Sequence, residues 1–298
     1  MTDLEVRRPK FDFTGDVPWE WNPANPQFSF FMNATSMIAI CFEQMIVAAV
    51  QEARPLLTDP EVAAEATAFL RQEAQHSSTH RKHVAALIRR YPGLQHTFDA
   101  ATASFDEVTN TTPLKFRLAY IADLEATFTP TFKMMLDNEA TLFRPGDDRV
   151  ASLLMWHFVE EVEHRSSALV IYDAAVGDSW YRIRALPGVF RHLIAVTRII
   201  ADGVNAHVPE ADRKVDARTM LPSFGLRQAL TRKRSTVPSA YATVPRLQRY
   251  RAVVRVLLSQ TPFHNPDHQP LPEFADRWFD RWNAGGDVTR WYTGQSAS

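Results

Sequence analysis

The sequence predicts an all-α fold, four long helices packed as an antiparallel bundle with additional C-terminal helices packed on it. Three observations carry this. Long stretches lack both Gly and Pro, among them Ser29 to Ala53 and Glu61 to Tyr91. Within them apolar residues recur at three- and four-residue spacing, the period of one helix face. On four of these faces a glutamate stands among apolar neighbours, at levels that match once the helices fold back on one another.

Residues 1 to 27 hold Pro9, Pro18, Pro23 and Pro26 with Trp19 and Trp21, the composition of an irregular arm whose aromatics pack on the body. The first helix runs from about Ser29 to Ala53, and Ala39, Ile40, Ile46 and Val47 surround Glu43 on its face. The run from Phe28 to Val50 nears the length of a membrane span, but Asn33, Thr35, Ser36, Glu43 and Gln44 interrupt it; a buried helix is expected. Asp59 before Pro60 caps a second helix, to about Tyr91, which carries Glu73-Ala-Gln-His76 beside Phe69 and Leu70, with His80 one turn on. Glu43 lies about 14 residues before the intervening turn and Glu73 about 16 after it, so an antiparallel return sets them side by side.

After Tyr91-Pro92-Gly93 a shorter helix fills 94 to 109, and Pro113 opens another in which Glu125 sits with Ile121, Ala122 and Phe128. Pro130 is expected to bend it. Arg144-Pro-Gly-Asp-Asp148 is a turn, and a fourth long helix is expected from about Arg149 to Ala175. It contains Trp156-His157-Phe158-Val159-Glu160-Glu161-Val162-Glu163-His164, in which His157, Glu161 and His164 fall within roughly 60° of arc. Residues 28–177 thus form the bundle, and 178–298 a helical extension packed on it, the whole being one structural domain. In the extension, Trp180 to Asn205 reads as a helix broken at Pro187-Gly188, with Arg182, Arg184, Arg191 and Arg198 as solvated arginines or a surface for anionic lipid. Arg232-Lys-Arg234 reads as a basic loop, 244 to 260 and 271 to 283 as helices, and His264 and His268 as members of an ordered loop rather than ligands.

Gathered together, Glu43, Glu73, His76, Glu125, Glu161 and His164 put one glutamate on each of two helices and Glu-x-x-His on each of two others. Four carboxylates buried together without a cation would force several to stay protonated. Four glutamates balance two divalent ions. Oxygen-rich ligation with a few imidazoles and no thiolate suits iron first, then manganese, a mixed iron–manganese pair or zinc. Glu160, about 100° round the helix from Glu161, is placed to orient a ligand histidine, and Glu163 to face solvent or an arginine.

This ligand set resembles the ferritin-like di-iron oxygenases, whose fold is the four-helix bundle expected here. His157, four residues before Glu161, extends it to His-x-x-x-Glu-x-x-His, similar to the di-iron arylamine N-oxygenases, in which a third histidine joins the metals; the resemblance makes His157 a seventh ligand, or else a residue behind one. Over roughly residues 25 to 270 the layout, with His-Phe-x-Glu-Glu-x-Glu-His and the late Phe263-His264, is similar to a bacterial family of predicted metal-dependent hydrolases. The resemblances imply a di-iron oxygenase or oxidase that uses O2, an electron donor and a small organic substrate in a pocket closed by the C-terminal helices. A dinuclear hydrolase is the alternative, and a non-enzymatic iron-binding protein the third reading.

Composition bounds the rest. The 298 residues are 45% hydrophobic and 22% charged with net charge -1, which suits a sizeable core and does not nominate nucleic acid. Ser179 to Phe263 is nevertheless basic, with 15 Lys and Arg against 4 Asp and Glu. The lone Cys41 excludes an intrachain disulfide and is expected to pack in the core. The N-terminus lacks the apolar core of a signal peptide, so the cytoplasm is expected. A homodimer is an open expectation. G-x-S-x-G, H-E-x-x-H, Walker and Rossmann glycine patterns do not occur, which removes the commoner hydrolase and nucleotide readings.

Overall fold

The computed structural model describes residues 4–221 and 238–293, and every described element is helical. The basic Arg232-Lys-Arg234 lies outside the described residues. Helix α1 spans Pro26–Ala53, capped by Asn25, whose side chain accepts from the Phe28 amide at 3.1 Å, with Pro26 at the first position where no donor is missed. Asp59 caps α2, Pro60–Arg90, in the same way, its carboxylate accepting from Glu61 N at 2.8 Å. There follow α3, Leu94–Thr111, α4, Leu114–Leu136, a short α5, Glu139–Leu142, and α6, Asp148–Glu163. Helices α1, α2, α4 and α6 form a closed ring of neighbours, α1 against α2 and α4, and α6 against α2 and α4. Although α1 is long and apolar enough to cross a membrane, most of it is buried in this ring. It is a core helix.

Two expected boundaries differ. The fourth long helix does not continue to Ala175: α6 ends at Glu163, His164 takes the capping position, and α7, Ser167–Ala175, starts afresh. Arg165 stabilises the interruption by donating to the Val162 and Pro266 carbonyls, and Ser167 Oγ donates to buried Glu65 at 2.5 Å. Conversely α8, Ser179–His207, runs unbroken through Pro187-Gly188. Pro187 is exposed, where water can satisfy the carbonyl it leaves unpaired, and Gly188 lets the Phe116 ring approach to where a Cβ would stand 3.2 Å from it. Gly203 on the same helix meets Thr97 of α3 so closely that any side chain there would clash. Helix α4 carries Pro130 within its span and ends at Leu136.

After α9, Glu210–Arg213, the remaining α-helices among the described residues are α10, Arg246–Ser259, on α4, and α11, Glu273–Asn283, on α6. The extension is not simply a carrier of solvated arginines. Arg182 is fully buried, paired with Asp123 at 3.3 Å and donating to the Thr261 carbonyl at 2.9 Å, so it ties α8, α4 and the end of α10 together.

The N-terminal arm is irregular, as its prolines dictate, and its Phe11, Phe13, Val17, Trp19 and Trp21 are buried in the core. It lies between the bundle and α11, with Trp282 Nε1 donating to Glu5 at 3.1 Å and the Arg7 guanidinium 4.7 Å from the Phe279 ring centre. Cys41 is buried with its thiol near Met37 O and Thr102, and burial pushes the thiol up to about 11, which suits a packing role. Tyr172 donates to the Asp178 carbonyl at 2.7 Å, where it steadies the α7–α8 turn.

Candidate metal centre

All seven residues expected from the sequence come together, inside the ring of α1, α2, α4 and α6. They form two groups. Glu43, His76, His157 and Glu161 offer ligand atoms within 4.8 Å of one another, and so do Glu73, Glu125, Glu161 and His164. Glu161 belongs to both. Its Oε1 lies 2.7 Å from His157 Nε2 and 3.5 Å from His76 Nδ1, while Oε2 lies 3.1 Å from His164 Nε2. His157 Nε2 is 3.4 Å from Glu43, and His164 Nε2 is 3.2 Å from Glu73 and 3.7 Å from Glu125. The first group therefore has two imidazoles and two carboxylates, the second one imidazole and three carboxylates.

The residues fit a pair of cations on their own chemistry. Glu43 Oε2, both Glu73 oxygens, Glu125 Oε1 and His76 Nδ1 are buried and make no hydrogen bond. Orphaned acceptors of this kind cost free energy unless a cation uses them. The electrostatics without metal describe the same strain. Burial, and then the neighbouring carboxylate charges of Glu73 and Glu161 respectively, push Glu43 and Glu125 well above the usual carboxylate range, and Glu73 is raised for like reasons. Burial pushes Glu161 upward too, but the imidazoles of His164, His157 and His76 outweigh it and hold that carboxyl well below its ordinary value. It is the charge that the cluster keeps.

Each candidate histidine is oriented from behind by a different partner. His76 Nε2 lies 2.9 Å from Glu160 Oε2, so its N–H donates outward and its Nδ1 lone pair faces the cluster. His164 Nδ1 donates to Gln72 Oε1 at 3.0 Å, which turns Nε2 inward. His157 Nδ1 lies 2.7 Å from His80 Nε2, His80 Nδ1 is 3.1 Å from Ser36 Oγ, and Ser36 is 3.1 Å from His83 Nδ1. A chain in which His157 donates to His80, His80 to Ser36 and the Ser36 hydroxyl to His83 leaves the His157 Nε2 lone pair facing the cluster for a cation; without one, the reverse direction lets His157 Nε2 donate to Glu161 at 2.7 Å. Burial holds His80 well below its usual range and His83 down at about 4, so both act as neutral links.

The sequence placed Glu160 behind a histidine and Glu163 against solvent or an arginine, and the arginine is Arg7 of the N-terminal arm. Arg7 donates to Glu163 at 2.7 and 2.9 Å and lies 3.4 Å from Glu160. Nothing in the arm's sequence signals this, because the adjacent Arg7 and Arg8 of an aperiodic arm give no period that says which of them faces in. For His80 and His83 the signal existed: with His76 they repeat at four and three residues, one stripe of α2. His264 and His268 join no metal-holding group among the described residues, and their loop is fixed through Arg165 and Asp267, 3.5 Å apart. Replacing Arg7 with Met should cost about 3 kcal/mol, since it leaves Glu160 and Glu163 without their buried countercharge. Metal affinity should also fall by about tenfold or more through His76. Denaturant titration and metal titration of the variant check the two effects separately.

A cavity of about 230 Å³ opens onto the cluster, reaching Glu43, Glu73, Glu125, His157 and Glu161. Its walls are Phe31, Met32, Ile38, Phe42, Phe128, Phe132 and Met135, from α1 and α4, with three threonines. Among the described residues the pocket is framed by α1 and α4 and not closed by the C-terminal helices as expected, Leu193 being the one lining residue from the extension.

A family model described as predicted metal-dependent hydrolase matches residues 5–270. The chain belongs to that family. No curated protein and no solved structure matches it. The matched span takes in the arm with Arg7, the whole bundle and the loop at His264, so the buried carboxylate–histidine cluster of this predicted metal-dependent hydrolase lies wholly within it. The family's description favours hydrolysis over the oxidation that the ligand pattern led one to expect, and it leaves the metal itself unnamed.

Proposed function

We propose that the chain is a ferritin-like dinuclear metal enzyme that uses O2 to oxidise a small hydrophobic molecule held in the α1–α4 cavity. The observation that carries this is the chemistry of the cavity wall. Its three hydroxyls are all turned back on their own helices: Thr35 donates to Phe31 O, Thr127 to Leu124 O and Thr131 to Thr127 O, at 2.9, 2.7 and 2.7 Å. Apart from the candidate ligands, the lining residues offer no acid, no cation and no free hydrogen-bond donor.

Oxidising a C–H or an apolar amine asks for little more than such a pocket, one that holds the substrate against the metals and keeps water out. Hydrolysis asks for more, a proton for the leaving group, even where metals take the developing oxyanion. Two reduced iron ions would supply the electrons that convert O2 to an oxidant. Glu43, Glu73, Glu125 and Glu161 match their charge, and the hydrogen bonds to Glu160, Gln72 and His80 keep the three imidazole lone pairs aimed inward as that charge changes. Iron storage has no use for an apolar cavity of this kind.

The second reading, a dinuclear hydrolase, rests on the family description; there the metals would activate water and polarise an ester or amide. Protein loaded anaerobically with iron, reduced and then exposed to O2 should consume O2 and show a transient visible absorption band. Anaerobic cleavage of esters or amides by the zinc or manganese form, with no O2 uptake by the iron form, would decide for the hydrolase.

A further inference from the structure

Among the described residues, helix α10 leaves one face without a partner. It packs on α4 with Ala252 and Ser259 buried, and on the turn after α4 through Gln248, which accepts from Asn138 Nδ2 at 2.6 Å. The opposite side carries Leu247, Tyr250, Val253, Leu257 and Leu258, each between 57% and 68% exposed. These positions cover roughly 140° of the helix circumference, a broad stripe and not scattered surface residues. Phe263, just past the helix end, is 88% exposed.

Arg249, Arg251 and Arg255 flank the stripe, and Arg246 sits within its first turn. Arg246, Arg249, Arg251 and Arg255 all belong to α10, the helix has no Asp or Glu, and among the described residues none of the four forms an ion pair. Beside it Lys133, Gln248, Arg251 and Arg255 line a polar depression of about 220 Å³ between α4 and α10. The one acidic lining residue, Asp137, is taken up by Lys133 at 2.7 Å.

We propose that α10 docks on the surface of an anionic lipid bilayer. An aliphatic stripe with an interfacial tyrosine, bordered by arginines alone, matches acyl chains below and headgroup phosphates at the level of the guanidinium groups. Arginine stems lie along apolar surface while their heads reach the phosphates. A second copy of the chain fits worse, because a two-fold contact would bring the same arginine set against itself with no acid between. The placement also has a use. Helix α4 carries α10 on one side and walls the cavity with Leu124 and Phe128 on another, and Gln260, next to the end of α10, donates to the Asp123 carbonyl at 3.1 Å. A docked chain therefore holds the cavity-lining helix beside the bilayer, where hydrophobic molecules partition. The docking rests on α10 alone and stands whichever chemistry the metals perform.

The test is cosedimentation of the full-length, metal-loaded protein with vesicles of phosphatidylglycerol mixed with phosphatidylcholine, against phosphatidylcholine alone. Binding to the anionic vesicles is expected, falling steeply with added salt. The pairs Leu257→Ser with Leu258→Ser, and Arg251→Gln with Arg255→Gln, should each weaken it by about tenfold or more at unchanged metal content. Absence of binding to anionic vesicles overturns the proposal, as does binding that survives both double variants. A dimer on a sizing column that the leucine pair splits would also overturn it, since a second copy would then be the occupant.

Discussion

Glu161→Gln is expected to empty the centre of both metals at once. Glu161 is the residue common to the two ligand groups, with one oxygen toward His157 and His76 and the other toward His164. It is also the carboxylate whose surroundings hold it ionised without metal, while burial pushes Glu43, Glu73 and Glu125 toward the neutral form. The amide keeps the size of the side chain but replaces one metal-facing oxygen with an NH2 group that has no lone pair for a cation. Each half then loses a ligand or the negative charge that balances it. Variants on one side only, Glu43→Gln or Glu125→Gln, should each lose about one ion, because the other half keeps its complete set. Elemental analysis after reconstitution with iron distinguishes the cases. If Glu161→Gln retained one firmly held ion per chain, the shared role would be wrong.

The clustering of these seven residues was legible in sequence for a physical reason. A glutamate among aliphatic neighbours on a helix face is costly, and four of them at matching levels have few explanations besides cations. Each signal was local to one helix, which is where periodicity can be read. What surrounds the centre was not local. Arg7 reaches Glu160 and Glu163 from more than 150 positions away in sequence, and its arm has no regular period to announce which side faces in. Pro187 carries a strong local prejudice for a break, yet the exposed position of the ring and the fit of Gly188 to Phe116 override it. The reverse holds at His164, where Arg165 and Ser167 find partners that interrupt a helix the sequence pattern would have continued. The cavity could not be told from the core, because Phe42, Phe128 and Met135 are the residue types that fill either. What separates them is the gap between α1 and α4, and the unpartnered face of α10 is hidden from sequence in the same way.

Removal of both metals should make the protein's stability fall more steeply as pH rises above about 6.5, the unperturbed histidine value, whereas the loaded protein should keep only the fall that Asp123, which burial raises to about 8, gives both forms. In the metal-free fold, Glu43, Glu73 and Glu125 have raised pKa values, and so do His76 and His164, whose burial is outweighed by the carboxylates around them. A raised group lends stability that is complete below its unfolded value and is lost as pH climbs through its folded one. His157, His80 and His83 shift the opposite way, burial being the first cause in each, so their contribution is lost on acidification below about 6.5 and is constant above it. Glu161, with its lowered value, is likewise constant there. Above about 6.5 it is therefore the raised groups of the cluster that weaken the metal-free fold, each proton that the fold still holds and the unfolded chain has released costing about 1.4 kcal/mol per pH unit. Bound cations replace those protons and cancel the penalty; at a free concentration a thousandfold above the dissociation constant they add about 4 kcal/mol besides. Scanning calorimetry of chelator-treated and iron-loaded protein across this range should therefore show two midpoints that diverge as pH rises. Parallel curves would mean that the buried carboxylates and histidines are not where the metal binds.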